Sequence, residues 1–457
     1  MQGEGGMTRM IVAVAATLAA GRACAADYDI RAFGAKGDGV TLDTAPIRKA
    51  VDAAAAAGGG RVVVPAGTYL TGTVWLKDGT DLHLKKGAVL LGSPNLDDYN
   101  ADDAYPQNAR SPQEGWSGKH LVLAVGRRNV AVTGEGVIDG NGTAFLDASR
   151  SKPRPNDVAF RRGYVNIPDR ASMRRPGQEL AFIECRNVRV EGVTLRNMAM
   201  WTCFFHGCDD VLADGVTISN DVRFANTDGF DIDACRRVRV TDCDITTADD
   251  AIAVRGCTGL LSDKARACED VLVSNVVIRS ECEGVRVGVG TGVVRRVTMS
   301  RLDIRRAGRG LVVQGAYDGA RHKGLEIRDV TFSDIRIRDT VLPVVVTDGM
   351  TSRSPIDGVR FERVDAEYDG YLAVVGGDGC RPSNIVFRDC VCRVRKGLYT
   401  PGYDWEVGRL KGDCLAAICV ERAGEVRFEN VTVAFDPAFA GGRSRRMSVL
   451  DAGVIAK

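Results

Sequence analysis

From about Arg61 onward the chain is written in short runs that alternate apolar and polar residues, as in Val188-Arg189-Val190-Glu191 and Val238-Arg239-Val240-Thr241. Such period-two runs predict short half-buried β-strands. The runs also repeat. Cys185 to Leu195, Cys208 to Ile218, Cys235 to Ile245 and Cys268 to Ile278 align residue for residue, with weaker copies at Leu325 to Ile337, Val359 to Glu367, Ile385 to Cys392 and Val426 to Val433. Each unit is expected to be two strands split by a turn and too small to bury its apolar face alone, so successive units must stack. A repeat of this length predicts an all-β solenoid, with residues one coil apart about 4.8 Å from each other on the same face. The chain lacks the Leu and Asn ladder of a leucine-rich repeat, and its period is too short for a propeller.

One segment breaks the pattern. Between Asp43 and Ala57 the apolar residues Ile47, Ala50, Val51 and Ala54 fall on one helical stripe, and Gly58-Gly59-Gly60 ends it before a strand at Arg61 to Val64. This helix is expected to cap the solenoid, whose first coil would otherwise present unpaired strand edges. The cap should span about 27–65 of a single domain covering 27–457. The stretch 101–177 is rich in Pro, Asn, Asp and Arg and is expected to form long loops bordering a groove.

Composition narrows the function. The 61 Lys and Arg nearly balance 59 Asp and Glu, which leaves no nucleic-acid footprint; the arginines that recur along strands read as a solvated face. A basic start at Arg9, an apolar stretch from Met10 to Ala20 and Ala23-Cys24-Ala25 read as a signal peptide over 1–26. No later segment is apolar enough for a transmembrane helix. The protein is therefore expected to be exported, periplasmic or extracellular, and monomeric. Of the 14 cysteines, the signal segment removes one, leaving an odd number and at least one thiol outside any internal disulfide. Cys185, Cys208, Cys235 and Cys268 open successive repeats and should stack as buried small residues. Cys257 and Cys268 flank an insertion and form the first candidate disulfide. Cysteine and histidine spacing suggests no metal, and no cofactor is expected.

The chemistry concentrates in carboxylates. Asp228 and the pair Asp249-Asp250 each open an alternating apolar strand about one repeat apart, so three carboxylates should converge on one patch of surface. Clustered carboxylates raise one another's proton affinity, which lets one serve as acid while another serves as base. Asp249 and Asp250 would face opposite sides of a strict strand, so a bulge or turn must bring both to the groove. Asp231 and Asp233 read as structural, as does the lone His206. Trp201, Phe204 and Phe205 read first as packing residues, with sugar stacking as the alternative.

At these residues the chain resembles glycoside hydrolase family 28, the polygalacturonases and their relatives. The resemblance begins at Tyr28-Asp29-Ile30-Arg31-Ala32-Phe33-Gly34-Ala35-Lys36-Gly37-Asp38-Gly39 and is most specific at Asn226-Thr227-Asp228-Gly229 followed by Asp249-Asp250. It implies a right-handed parallel β-helix and an inverting hydrolase acting on a polysaccharide or oligosaccharide. Asp249 would be the general acid, with Asp228 and Asp250 activating water. Inversion needs the acid and base about 6.5–9.5 Å apart.

The chain departs from the family twice. Glu283, in Cys282-Glu283-Gly284, stands where the family carries a histidine, and Val312-Val313-Gln314 replaces Arg-Ile-Lys. Both cations that would grip a galacturonate carboxylate are thereby lost. Arg255, Arg286 or Arg223 is expected to restore one, or else the sugar at the cleavage point is neutral. Asn226, Glu283 and Gln314 complete the candidate substrate-binding positions. Two rival readings are a polysaccharide lyase or epimerase on the same scaffold and a catalytically silent glycan-binding solenoid.

Overall fold

A computed structural model describes residues 26–101, 117–145, 175–259, 261–315, 325–348, 354–377, 380–395, 416–437 and 445–456. The signal-segment reading lies almost wholly outside them. No described helix is long and apolar enough to cross a membrane.

The repeats stack as a parallel β-helix. A representative coil contains the strands Leu180–Ile183, Arg186–Glu191 and Thr194–Arg196. The next repeats it with Cys203–His206, Asp209–Asp214 and Thr217–Ser219. Pairing between coils is parallel and in register, so Val188, Val211, Val238 and Val271 form one continuous row. Each coil therefore has three strands, where alternation predicts two. The additional row, Leu180–Ile183, Cys203–His206 and Phe230–Asp233, is buried at every position. A strand covered on both faces need not alternate, as Leu180–Ile183 and Cys203–His206 do not, although Phe230–Asp233 still does; the candidate site lies at the start of this row.

Sharp corners between strands come from single residues in the left-handed region. Asn129, Asn187, Asp210, Arg237 and Asp270, with φ between 55° and 59°, occupy equivalent corners of successive coils. Short polar side chains tolerate that conformation best, which explains the recurrent Asn and Asp. Beside this corner the predicted cysteine row forms. The Sγ atoms of Cys208 and Cys235 donate to the carbonyls of Phe182 at 3.1 Å and Phe205 at 3.3 Å. Cys257 and Cys268, the candidate disulfide, are both free buried thiols; each finds its place in the wall of its own coil. Cys419 is disulfide-bonded.

Inside the coils, side chains stack at the strand spacing. Phe332, Phe361, Phe387 and Phe428 lie nearly parallel with centroids 5.1, 4.7 and 5.0 Å apart. Truncating the central Phe361 to Ala would cost about 3–5 kcal/mol, the usual range for opening a cavity of that size. On the outside, the strand arginines are exposed but paired across coils, as in Arg237 with Asp210 at 2.6 Å and Arg296 with Asp270 at 2.7 Å. The capping helix spans Thr44–Ala56 and buries Ile47, Ala50, Val51 and Ala54.

The expectation of loops throughout 101–177 needs correction. Its centre contains a complete coil with strands Val122–Val125, Arg128–Gly134 and Val137–Asp139. The apolar alternation of Val130, Val132 and Ile138 was outweighed by the Pro- and Arg-rich flanks, which lie mostly outside the described residues.

Candidate active site

Asp228 and Asp249-Asp250 occupy turns that feed the buried strand row. Asp228 precedes Phe230–Asp233, and Asp249-Asp250 joins Asp244–Thr247 to Ile252–Gly256. A turn is thus what brings both adjacent aspartates to one side. The turn is pinned by Thr247 Oγ1 and Ser280 Oγ, each donating to the Asp249 carbonyl at 2.7 Å.

Register then places the carboxylates. Phe230 pairs with Ile252 and Ile252 with Val285. The backbone bonds Gly229 N to Asp250 O at 2.8 Å and Ala251 N to Glu283 O at 2.9 Å carry the stacking back past the strand starts. Asp228, Asp250 and Glu283 consequently hold the same position on three successive coils, and Arg309, the register partner of Glu283, holds it on the fourth. Asp249 stands beside this stack. Asp228 and Asp250 are buried, whereas Asp249 is partly accessible.

Two arginines neutralise the interior of the cluster. Arg286 donates from Nε to Asp250 Oδ2 at 2.5 Å, and its Nη2 lies 3.1 Å from Glu283 Oε1. Its Nη1 donates to Gln314 Oε1 at 2.5 Å. Arg309 donates from Nη1 to the same Glu283 oxygen at 2.7 Å. Burial alone would push Glu283 up, yet the two guanidiniums hold it well below the usual carboxylate range. Burial raises Asp249, and the charge on Glu283 raises it further, against a hydrogen bond from Cys282. Asp250 is also raised, first by burial, with Arg286 opposing and Glu283 reinforcing the shift. Burial and the charge on Glu283 thus favour a proton shared by the Asp249–Asp250 pair, against the pull of Arg286.

Asp249, Asp250, Cys282 and Glu283 also present ligand atoms within 4.8 Å of one another. That spacing would suit a cation on geometry alone, but Arg286 and Arg309 already supply the positive charge those oxygens need.

The candidate binding residues divide. Asn226 donates from Nδ2 to Asp249 Oδ2 at 3.4 Å, and its Oδ1 accepts from Arg175 Nη2 at 3.1 Å. Arg175 is buried and also holds the carbonyls of Ala199 and Ala225, so it orients Asn226 toward Asp249. Sequence reasoning missed both Arg175 and Arg309, because a buried arginine and a solvated one look alike in a chain with so many. Glu283 is fully buried behind the aspartates and Gln314 is held by Arg286. Arg223 is exposed and bound to Asp221.

Arg255 is partly exposed and lies over the Trp201 ring at 4.4 Å, with longer contacts to Asp231 at 3.5 Å and Asp233 at 3.8 Å. Asp233 also caps the next turn by accepting from Cys257 N at 2.7 Å. Burial pushes Asp231 up to about 8, against the pull of Arg255. His206 is buried, stacked on Phe204 and 3.6 Å from Asp233. Phe205 packs in the core, whereas Trp201 and Phe204 belong to a buried cluster on the outer face.

Comparison with known proteins bears on family and fold. The model of glycosyl hydrolases family 28 matches residues 61–385. An exo-poly-alpha-D-galacturonosidase of Dickeya chrysanthemi is 29% identical over 58% of this chain and 48% of its own. A probable polygalacturonase of Vitis vinifera is 29% identical over 49% of this chain and 43% of its own. The chain thus spans about half the length of these two relatives. Among solved structures, an exopolygalacturonase of Thermotoga maritima superposes with a TM-score of 0.68 at 21% identity, covering 90% of this chain and 92% of that one. A family 28 exopolygalacturonase of Yersinia enterocolitica gives 0.66 at 20%, covering 94% and 78%. Both share this fold.

Proposed function

The chain belongs to the glycosyl hydrolases of family 28, and from that premise we propose that it is an exported monomer that hydrolyses a pectin-like polysaccharide with inversion. The observation that carries this reading is the stack of Asp228 and Asp250 with the partly accessible Asp249 beside it. Asp249 donates its proton to the glycosidic oxygen as the C1–O bond breaks. Asp250 presents an oxygen within 4.8 Å of Asp249, closer than the 6.5–9.5 Å of an inverting acid–base pair, so Asp228 takes the proton from the water whose oxygen forms the new bond to C1, and Asp250 helps to hold that water. Asn226, oriented by Arg175, holds Asp249 in place. No step calls on a metal.

Arg255 is the cation we assign to the substrate. Arg286 is buried among Asp250, Glu283 and Gln314, whereas Arg255 lies on a neighbouring coil and keeps part of its side chain accessible beside Asp231 and Asp233. A uronate carboxylate entering the polar strip beside Asp231 and Asp233 would meet it. Attack at a chain end fits the flanks of the site. On one side the outer face carries the buried cluster around Met200, Trp201 and Phe204, and on the other the cluster around Val312, Val345 and Tyr371. Between them the polar strip is only about three coils long, roughly 10–15 Å at the usual strand spacing.

The test is reducing-sugar release and product sizing on polygalacturonan, rhamnogalacturonan, xylogalacturonan and neutral glycans. Small products from a uronate-containing chain are expected. Unsaturated products would instead indicate a lyase, and binding without turnover would indicate a silent solenoid.

A further inference from the structure

Glu283 makes no contribution to the mechanism above, yet it is bonded to two guanidiniums and a thiol. It is fully buried, as is its partner Arg309. Its Oε1 receives Arg309 Nη1 at 2.7 Å and lies 3.1 Å from Arg286 Nη2, and its Oε2 accepts from Cys282 Sγ at 2.5 Å. A buried charge triad of this kind is weak evidence for stability, since apolar residues of similar volume usually do as well. Its position suggests another use. Glu283 follows Asp228 and Asp250 in the same stack, and the guanidinium it anchors is the one that grips Asp250.

We infer that Glu283 is a positioning residue, which through Arg286 and Cys282 fixes both the orientation and the charge of the Asp249–Asp250 pair. The inference rests on the proposed roles of those aspartates. The groups that face Glu283 are Asp249 and Asp250 from the preceding coil, Cys282 and Arg286 from its own, and Arg309 from the next. Its negative charge keeps one proton on the pair, and its hold on Arg286 keeps Asp250 turned toward the water position. Gln314, the neutral residue in place of a family lysine, accepts the remaining guanidinium edge and adds no second cation.

The sign of the effect follows from the charges. Replacing Glu283 with Gln removes a negative neighbour, so the pair releases its proton at lower pH. A charge within about 4–6 Å moves a carboxyl by about 1–3 units, so the alkaline limb of the kcat/KM profile should move at least about one unit toward acid.

The experiment compares parent, Glu283→Gln and Glu283→Asp. It uses the pH profile of hydrolysis together with infrared titration of ¹³C-aspartate-labelled full chain, taking Asp249→Asn as the band assignment. Glu283→Gln should lower the titration midpoint and move the alkaline limb with it, and Glu283→Asp, which keeps the charge, should restore both. A Glu283→Gln protein that loses thermal stability with midpoint and limb unmoved overturns the inference. If Glu283→Gln does not fold, Glu283→Gln/Arg309→Met removes the nearer negative charge with a more distant positive one. The midpoint should then fall in the same direction by less, and an unmoved midpoint again overturns the inference. A shifted midpoint without hydrolysis of any glycan would leave the charge control standing and refute the proposed function instead.

Discussion

Replacing Arg286 with Met tests the charge balance of the site through folding alone. Arg286 is buried and in contact with both Asp250 and Glu283. Removing one partner of a buried ion pair typically costs about 3–5 kcal/mol. The pH dependence is the sharper prediction. Arg286 draws protons off Asp250 and Glu283, so without it the cluster is expected to hold one proton more. The variant's native state therefore binds one proton more than the parent's, while the unfolded chains bind the same number. A carboxyl whose folded pKa lies above its unfolded value loses stabilising effect as pH rises, so the variant's penalty grows by about 1.4 kcal/mol per pH unit. Between pH 5 and pH 7 the difference should widen by about 2.7 kcal/mol. Urea unfolding at pH 5, 6 and 7, followed by circular dichroism, measures it. A penalty below about 1 kcal/mol, or one that stays constant with pH, would refute the assignment of a shared proton.

Three further outcomes are expected. Burial raises Glu179 to about 8, with Arg175 opposing, so Glu179→Gln should gain on the parent by about 1.4 kcal/mol per unit from about pH 5 to 8, read from unfolding at those pH values. Arg255→Met should raise KM for uronate oligomers by about 10- to 100-fold, the value of one charge-assisted contact, with a much smaller change in kcat; equal KM values in steady-state kinetics would remove the assignment. Among the described free cysteines only Cys380 is more than marginally exposed, so native protein treated with a thiol reagent should label there first, and peptide mapping should find Cys257 and Cys268 modified only after unfolding.

Much of this architecture was legible in the residues. The capping helix could be read because Ile47, Ala50, Val51 and Ala54 keep helical spacing and three glycines follow. The two alternating strands of each coil could be read because each has one wet face. Of the third row only the strands opened by Asp228 and by Asp249-Asp250 could be read; Leu180–Ile183 and Cys203–His206 are buried on both sides and do not alternate. The aspartate trio was visible as a motif. Its stacking on Glu283 was not, because the insertion between Ile252 and Val285 hides which residues share a position. Arg286 was foreseen as a replacement cation, but only the register shows that it serves the aspartates. The pairing of Glu283 with Arg309 links neighbouring coils through 26 residues of sequence separation, and nothing local marks it.

The central claim is that Asp249 acts as acid while Asp228 and Asp250 direct water to the opposite face of the sugar. The most direct measurement is proton NMR of the first anomer released from a pectic oligosaccharide, run beside Asp249→Asn. The account predicts an anomer opposite in configuration to the bond cleaved, and turnover in the variant lower by about 10²–10⁴-fold, the usual worth of a positioned acid, with the fold intact. A product of retained configuration, or a variant as active as the parent, would contradict it.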